Sequence, residues 1–297
     1  MPSFLSSTSI ARTLALSIAF ISTGCVPDDT STNTLPPNIP ATAPIRIEQH
    51  PGNTEATPQD GVIPERQGFH SLGVKNANIA GVNFTYLTFD ARRHTLEVVD
   101  QGQIGGTYQT ASQVTAATSA LATINGGFFT PEGKPLGLVY HEGNKVGSVN
   151  SSSLGSGVIY VDQKLPTPTI ARRETFQTWL SDSSFSPKEV LQTGPFLVED
   201  SLAVNGLTGT DVRIRSLIIW DGKHHFALAQ CANISLPNLA AALAEQPLPD
   251  FNIVVALNLD GGRSSDLNIS SQVTGGPINL RKWWNKPVRN YLILKKQ

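Results

Sequence analysis

Residues 254–265 read Val-Val-Ala-Leu-Asn-Leu-Asp-Gly-Gly-Arg-Ser-Ser. The apolar run Val254–Leu259 reads as a buried strand, with Asp260 at its tip and Gly261-Gly262 turning the chain. The same plan occurs upstream, where Ala122-Thr123-Ile124 leads to Asn125 and then to Gly126-Gly127-Phe128-Phe129. Taken singly, Asn-Gly and Asp-Gly are tight-turn residues, because they tolerate positive φ. Paired glycines followed by hydroxyls or aromatics go further, since they let backbone N–H groups face a ligand closely. A phosphate or sugar oxygen is the expected occupant.

Working outward, alternation in Asn83–Phe89 and His94–Val99 predicts a strand pair joined by the Asp90-Ala91-Arg92-Arg93 turn. Further strands are expected at Leu136–His141, Gly157–Val161, Phe196–Glu199, Arg215–Trp220, His225–Ala229, Asn252–Leu259 and Tyr291–Leu294. Helices are fewer. Ser186-Pro187-Lys188-Glu189 has the form of a capping box and predicts a short helix to about Leu191. Ser235 before Leu236-Pro237 opens a second helix running to Glu245, and Ala111–Leu121 is a third candidate. The class is therefore α+β, a mixed β-sheet core with a few intervening helices in a single domain.

The N-terminus has a different character. Leu14–Ile21 is an apolar run behind Arg12, too short to span a bilayer permanently, and it reads as a secretory signal. It ends in Ser22-Thr23-Gly24-Cys25, which resembles the lipobox of bacterial lipoproteins and marks Cys25 for lipidation. The alternative is an ordinary signal peptide that leaves the mature protein free. Residues 26–65 are rich in Pro, Thr and Asn and too poor in apolar residues to fold, so they are expected to form a disordered tether. The organisation expected is a signal over 1–25, the tether over 26–65 and one domain over 66–297, exported to the periplasm or cell envelope and membrane-anchored through Cys25.

The net charge is −1 and no basic cluster offers a footprint for nucleic acid, so that partner class is not expected. Charged residues make up only 15% of the 297, and the polar balance of Ser, Thr, Asn and Gln suits a sugar ligand. Of the two cysteines, lipidation of Cys25 leaves Cys231 without a partner, and its apolar surroundings predict a buried structural thiol and no disulfide.

The order Asn125-Gly126-Gly127-Phe128-Phe129, Gly133-Lys134-Pro135-Leu136-Gly137-Leu138, Gln192-Thr193-Gly194-Pro195-Phe196, Arg215-Ser216 and Asp260-Gly261-Gly262-Arg263-Ser264-Ser265 resembles the phosphodiester glycosidase family. The likeness covers about residues 66 to 297. It implies hydrolysis of the bond between a sugar's anomeric carbon and a phosphate. A phosphate monoester leaves readily, so such a site needs groups that hold negative charge more than a strong general acid. By this resemblance Asp260, Asn125 and Arg215 are the expected catalytic residues, with Asp260 supplying the carboxylate that steadies the transition state, activates water or attacks the sugar. Gly126, Gly127, Lys134, Gly194, Gly261, Gly262, Ser264 and Ser265 are expected to bind substrate, arginine being favoured for bidentate contact to phosphate. A second carboxylate is not evident, although Glu132, Glu199 and Asp200 lie near the matching segments. No cofactor is expected, with a divalent metal left open, and the partners expected are a glycan or sugar-phosphate and the membrane.

Two further features invite a reading. His224-His225 points to opposite faces of a strand and is a poor chelate for one metal ion. Trp283-Trp284 could stack on a sugar ring. The rival function class is a non-catalytic envelope lipoprotein that binds glycan or assists exopolysaccharide assembly.

Overall fold

The computed structural model describes residues 72–102 and 107–297. The signal, Cys25 and the tether lie outside the described residues. Among them the chain runs β1 (Gly73–Ile79), β2 (Val82–Asp90), β3 (His94–Asp100), α1 (Ala111–Thr118), β4 (Ala122–Asn125), β5 (Val139–His141) and β6 (Asn144–Val146). It continues with β7 (Gly157–Asp162), β8 (Thr169–Arg172), α2 (Arg173–Leu180), β9 (Pro187–Thr193), β10 (Phe196–Glu199) and β11 (Leu202–Ala203). The last part is β12 (Arg213–Trp220), β13 (His225–Ile234), α3 (Leu236–Glu245), β14 (Val255–Asn258), β15 (Leu267–Ile269), β16 (Ile278–Asn279) and β17 (Asn290–Lys296).

The strands form three sheets, ordered β1-β2-β13-β12-β14-β10-β11, β16-β15-β4-β17-β3 and β6-β5-β9-β7-β8. Their inner faces share one core, to which Phe89, Ile218, Phe226 and Leu257 come from the first sheet, Ile124, Leu267 and Leu292 from the second, and Val139, Ile159 and Leu191 from the third. Each helix covers the outer face of one sheet. Leu239 and Leu243 of α3 pack on Leu217, Ile219 and Ala227; Ala111 and Val114 of α1 pack on Val99, Tyr291 and Ile293; and Phe176 of α2 packs on Val158 and Val190. The period-2 geometry of a strand is visible in β12, where Leu217 and Ile219 face α3 while Ile218 faces the shared core. Burial on both sides explains why these strands read as nearly continuous apolar runs.

The architecture is thus largely β with three helices, and three expectations need correcting. The sheets are not mixed, for among the described residues every named strand pair is antiparallel and the one parallel contact is the isolated bridge Gly73↔Thr274. Strands β2 and β3 are not a pair. The Asp90–Arg93 turn is a corner between sheets, held by Asp90 accepting both the backbone N–H and the guanidinium of Arg92, and it sends β2 to β13 and β3 to β17. The helix expected at 186–191 is instead strand β9. Glu189 is buried and accepts the N–H groups of Val98 (2.9 Å) and Glu142 (3.1 Å), while Val190 and Leu191 enter different cores on opposite faces. Long-range burial at period two there outweighs a local capping signature.

Candidate active site

The two glycine turns meet. Strand β4 of the second sheet delivers Asn125, which is fully buried, and β14 of the first delivers Asp260. Asn125 Nδ2 donates to the Asp260 carbonyl at 2.6 Å, and Asp260 N–H donates to the Gly126 carbonyl at 2.9 Å. Asn125 Oδ1 accepts from Ser216 Oγ of β12 at 2.7 Å and from the Asp266 N–H at 3.0 Å. One buried amide therefore ties three chain segments and fixes where Asp260 stands. Such a fully partnered polar group specifies its surroundings sharply, because leaving any partner unmatched is costly.

The glycines of the first turn serve close approach. Gly126 N–H donates to the Asn290 carbonyl at 2.8 Å and Gly127 N–H to Asn290 Oδ1 at 2.7 Å. Both donors are thus taken inside the protein and not turned to a ligand, which corrects the expectation for Gly126 and Gly127. A side chain at Gly126 would overlap Asn290 Oδ1, and a Cβ at Gly127 would stand 2.8 Å from the Gln192 carbonyl. Gly127→Ala is therefore expected to lower stability by about 1–3 kcal/mol, because backbone must move to admit the methyl; a urea midpoint equal to that of the wild type would contradict the docking of the two turns.

Around Asp260 a cleft of about 190 Å³ opens, lined by Phe128, Thr208, Asp211, Arg213, Arg215, Leu236 and the Asp260-Gly261 turn. Small-molecule sites commonly enclose ~300–1,000 Å³, so this one admits a single ring or phosphate group and not a whole glycan. Gly261 N–H caps Asp260 Oδ1 at 2.8 Å, and Gly262 takes a positive φ of 62° that the turn requires. Burial raises the Asp260 carboxyl to a pKa of about 6, against the opposing pull of the Ser264 hydroxyl, the Gly261 N–H and the Arg213 charge.

The arginines form the other wall. Arg215 is buried, and its Nε and Nη2 donate to the carbonyls of Ile234 (3.1 Å) and Asp211 (2.7 Å). Burial, followed by the like charge of Arg213, holds its pKa below the usual guanidinium value. Arg213 pairs with Asp211 at 2.7 Å, and a shift in the β12–β13 register falls between Arg213 and Arg215. Two guanidiniums that repel each other beside one cleft would be relieved by an anion.

The structure thus brings Asp260, Gly261 and Arg215 to one cleft, with Ser264 on the carboxylate and Asn125 behind it. The buried Ser265 hydroxyl donates to the Ile214 carbonyl at 3.2 Å. Lys134 is exposed on the 130–134 turn and is not part of the lining. Gly194 is a framework residue whose carbonyl accepts from Asn258 Nδ2 at 2.9 Å, and a Cβ there would meet the Ser153 carbonyl at 2.6 Å. Of the carboxylates near the matching segments, Glu199 pairs with Arg172, while Glu132 is exposed and Asp200 sits in a turn with φ of 50°. The sequence alone did not single out Arg213 or Asp211, the latter on a loop that offers no periodic signal. It also missed Asp266, fully buried, which accepts from Ala111 N–H at the start of α1 and pairs with Arg281 at 2.7 Å. Cys231 is buried opposite Arg215, and burial pushes its thiol up to about 12. His225 engages Asp221 at 2.8 Å, and among the described residues no three His, Cys, Asp or Glu side chains are grouped to hold a metal ion.

A shielded carboxylate thus lies beside two arginines in a cleft between antiparallel sheets. The model of the phosphodiester glycosidase family matches residues 118–295, and the chain belongs to that family. Its fold is similar to the catalytic domain of zebrafish N-acetylglucosamine-1-phosphodiester alpha-N-acetylglucosaminidase, auto-inhibited by its pro-peptide. The TM-score is 0.54 and the identity 16%, over 76% of this chain and 83% of that one. A hypothetical protein from Synechocystis is similar at a TM-score of 0.50 and 17% identity, over 75% of this chain and 61% of that protein. No curated protein matches the chain.

Proposed function

We propose that the protein is an exported hydrolase that cleaves the bond between a sugar's anomeric carbon and a phosphate oxygen in a glycan phosphodiester. The observation that carries this reading is the Asp260 carboxylate, raised to a pKa of about 6 in a small cleft walled by Arg213 and Arg215. Family membership supports the same substrate class. The arginines hold the phosphate, and the departing group is a phosphate monoester that needs little protonation. Ionised Asp260 stabilises the positive charge that develops on the sugar, or takes a proton from the water that adds to the anomeric carbon. The products are a free reducing sugar and a phosphate monoester. Asn125 acts as a positioning residue, and the Gly126-Gly127 turn is the base on which Asp260 rests.

The proposal extends to the whole chain, with the signal over 1–25, lipidation at Cys25, a tether over 26–65 and the catalytic domain over 66–297, so that the cleft works in the cell envelope. Release of N-acetylglucosamine from an N-acetylglucosamine-1-phosphodiester by the purified protein tests the reaction; binding of that diester without turnover, measured by calorimetry, would favour a glycan-binding role instead. Arg213→Ala and Arg215→Ala are expected to raise KM by roughly 10–100-fold, each removing a charged contact to phosphate of about 1.5–3 kcal/mol. An unchanged KM in both would remove the arginines from substrate binding.

A further inference from the structure

Trp283 is 91% exposed and Trp284 is 43% exposed, and the two rings pack edge to face with centroids 5.4 Å apart. Adjacent tryptophans so open to water are an unusual use of apolar surface, and patches of this kind mark contact sites. The loop that carries them is held firmly. Arg281 donates from Nη2 to the carbonyls of Asn285 and Lys286, each at 3.0 Å, while its Nη1 is fixed on buried Asp266. Asn285 Nδ2 donates to the Ser265 carbonyl, Arg263 Nε to the Trp284 carbonyl at 3.2 Å, and Lys286 N–H to the Arg263 carbonyl at 2.9 Å. The Trp loop is thus fastened to the segment that presents Asp260. Three residues of chain reach at most about 11 Å, so Arg263, the anchor of that loop, stands within that distance of Asp260 Cα to Cα.

Exposed Lys282 and Lys286 flank the pair and exposed Arg263 lies beneath it. An aromatic face offers a pyranose ring its apolar side, and the surrounding cations suit phosphates spaced along a chain. We infer that Trp283 and Trp284 form an accessory subsite that holds a neighbouring unit of a polymer of phosphodiester-linked sugars while one linkage lies in the Asp260 cleft. The inference rests on the proposed reaction for its substrate class. It also accounts for the small cleft, which takes one ring and leaves the rest of a polymer to be held outside.

Calorimetric titration with a polymer of N-acetylglucosamine-1-phosphate units, carried out in full-length Asp260→Asn protein, reads the subsite without turnover. Adding Trp283→Ala and Trp284→Ala is expected to weaken the Kd for polymer roughly tenfold, with partial recovery in the corresponding Phe variants. An equal Kd in both proteins, or no binding of polymer by either, would overturn the inference. So would loss of binding to vesicles of phosphatidylglycerol and phosphatidylcholine with the polymer Kd unchanged, which would make the pair a membrane contact. The reaction itself is read separately from turnover by the wild-type protein, so failure of the one is distinguishable from failure of the other.

Discussion

Replacing Asp260 with Asn is expected to lower kcat/KM on a sugar phosphodiester by about 10²–10⁴-fold, the usual contribution of a positioned proton-transfer group, and at the same time to stabilise the folded protein at neutral pH. Both effects have one cause. The folded-state pKa of Asp260 is about 6, raised from an ordinary 3.8 by burial. The folded protein therefore binds this proton more tightly than the unfolded chain. Ionised Asp260 costs stability above pH 6, and the cost fades as pH falls through 6 and is absent below about pH 4. At ~1.4 kcal/mol per pKa unit the cost reaches at most about 3 kcal/mol. Asp260→Asn should raise Tm at pH 7.5 and match the wild type near pH 4. The wild-type kcat/KM should climb with pH through about 6, as the carboxylate ionises. Activity retained in Asp260→Asn, or a stabilisation independent of pH, would contradict the role given to this side chain.

The second large effect is chiefly on stability. Asn125→Ala removes one acceptor and one donor from a fully buried position, leaving the Ser216 hydroxyl, the Asp266 N–H and the Asp260 carbonyl without their partner. Each unmatched buried group costs about 1–3 kcal/mol, and because the three act as a unit a total of about 3–5 kcal/mol is expected. Urea unfolding measures it. Activity assayed where Asn125→Ala remains folded should also fall, since Asp260 loses the bond that sets its backbone. A loss below about 1 kcal/mol would mean that the two turns do not depend on this amide.

These two residues show what a sequence can and cannot disclose. The Val254–Leu259 run and the Asp260-Gly261-Gly262 turn are local, and both the strand and the position of the carboxylate at its end were legible. Phe196–Glu199 and α3 were legible for the same reason, since strand alternation and a helix with Pro near its start are short-range signals. Asn125 is different. Its partners Ser216, Asp260 and Asp266 lie 91, 135 and 141 residues away, so nothing nearby distinguishes an amide that faces a ligand from one that ties three strands together. The Gly126 and Gly127 donors met the same difficulty, their partner being Asn290 at the start of β17. Pro187–Glu189 carried a genuine capping pattern, and long-range burial of Glu189 and Leu191 overrode it. Helix α2 was missed because its start carries no capping signal in the sequence, its N-cap residue being Arg172 with no proline in the first turn.

The Arg213–Arg215 pair extends the lesson to the cleft. Arg213 and Arg215 are two residues apart on β12 with a register shift between them, and what unites them is the cleft they both line. The acceptor for Arg213, Asp211, sits on a loop that periodicity does not reach.

The most direct test of the account is hydrolysis of an N-acetylglucosamine-1-phosphodiester in water enriched in heavy oxygen, followed by mass spectrometry of both products. Attack at the anomeric carbon under the control of Asp260 places the heavy oxygen in the released sugar and none in the phosphate monoester, and Asp260→Asn releases neither product at a comparable rate. Heavy oxygen in the phosphate would show that the P–O bond is broken instead, and would contradict the reading of the cleft as a glycosidase site.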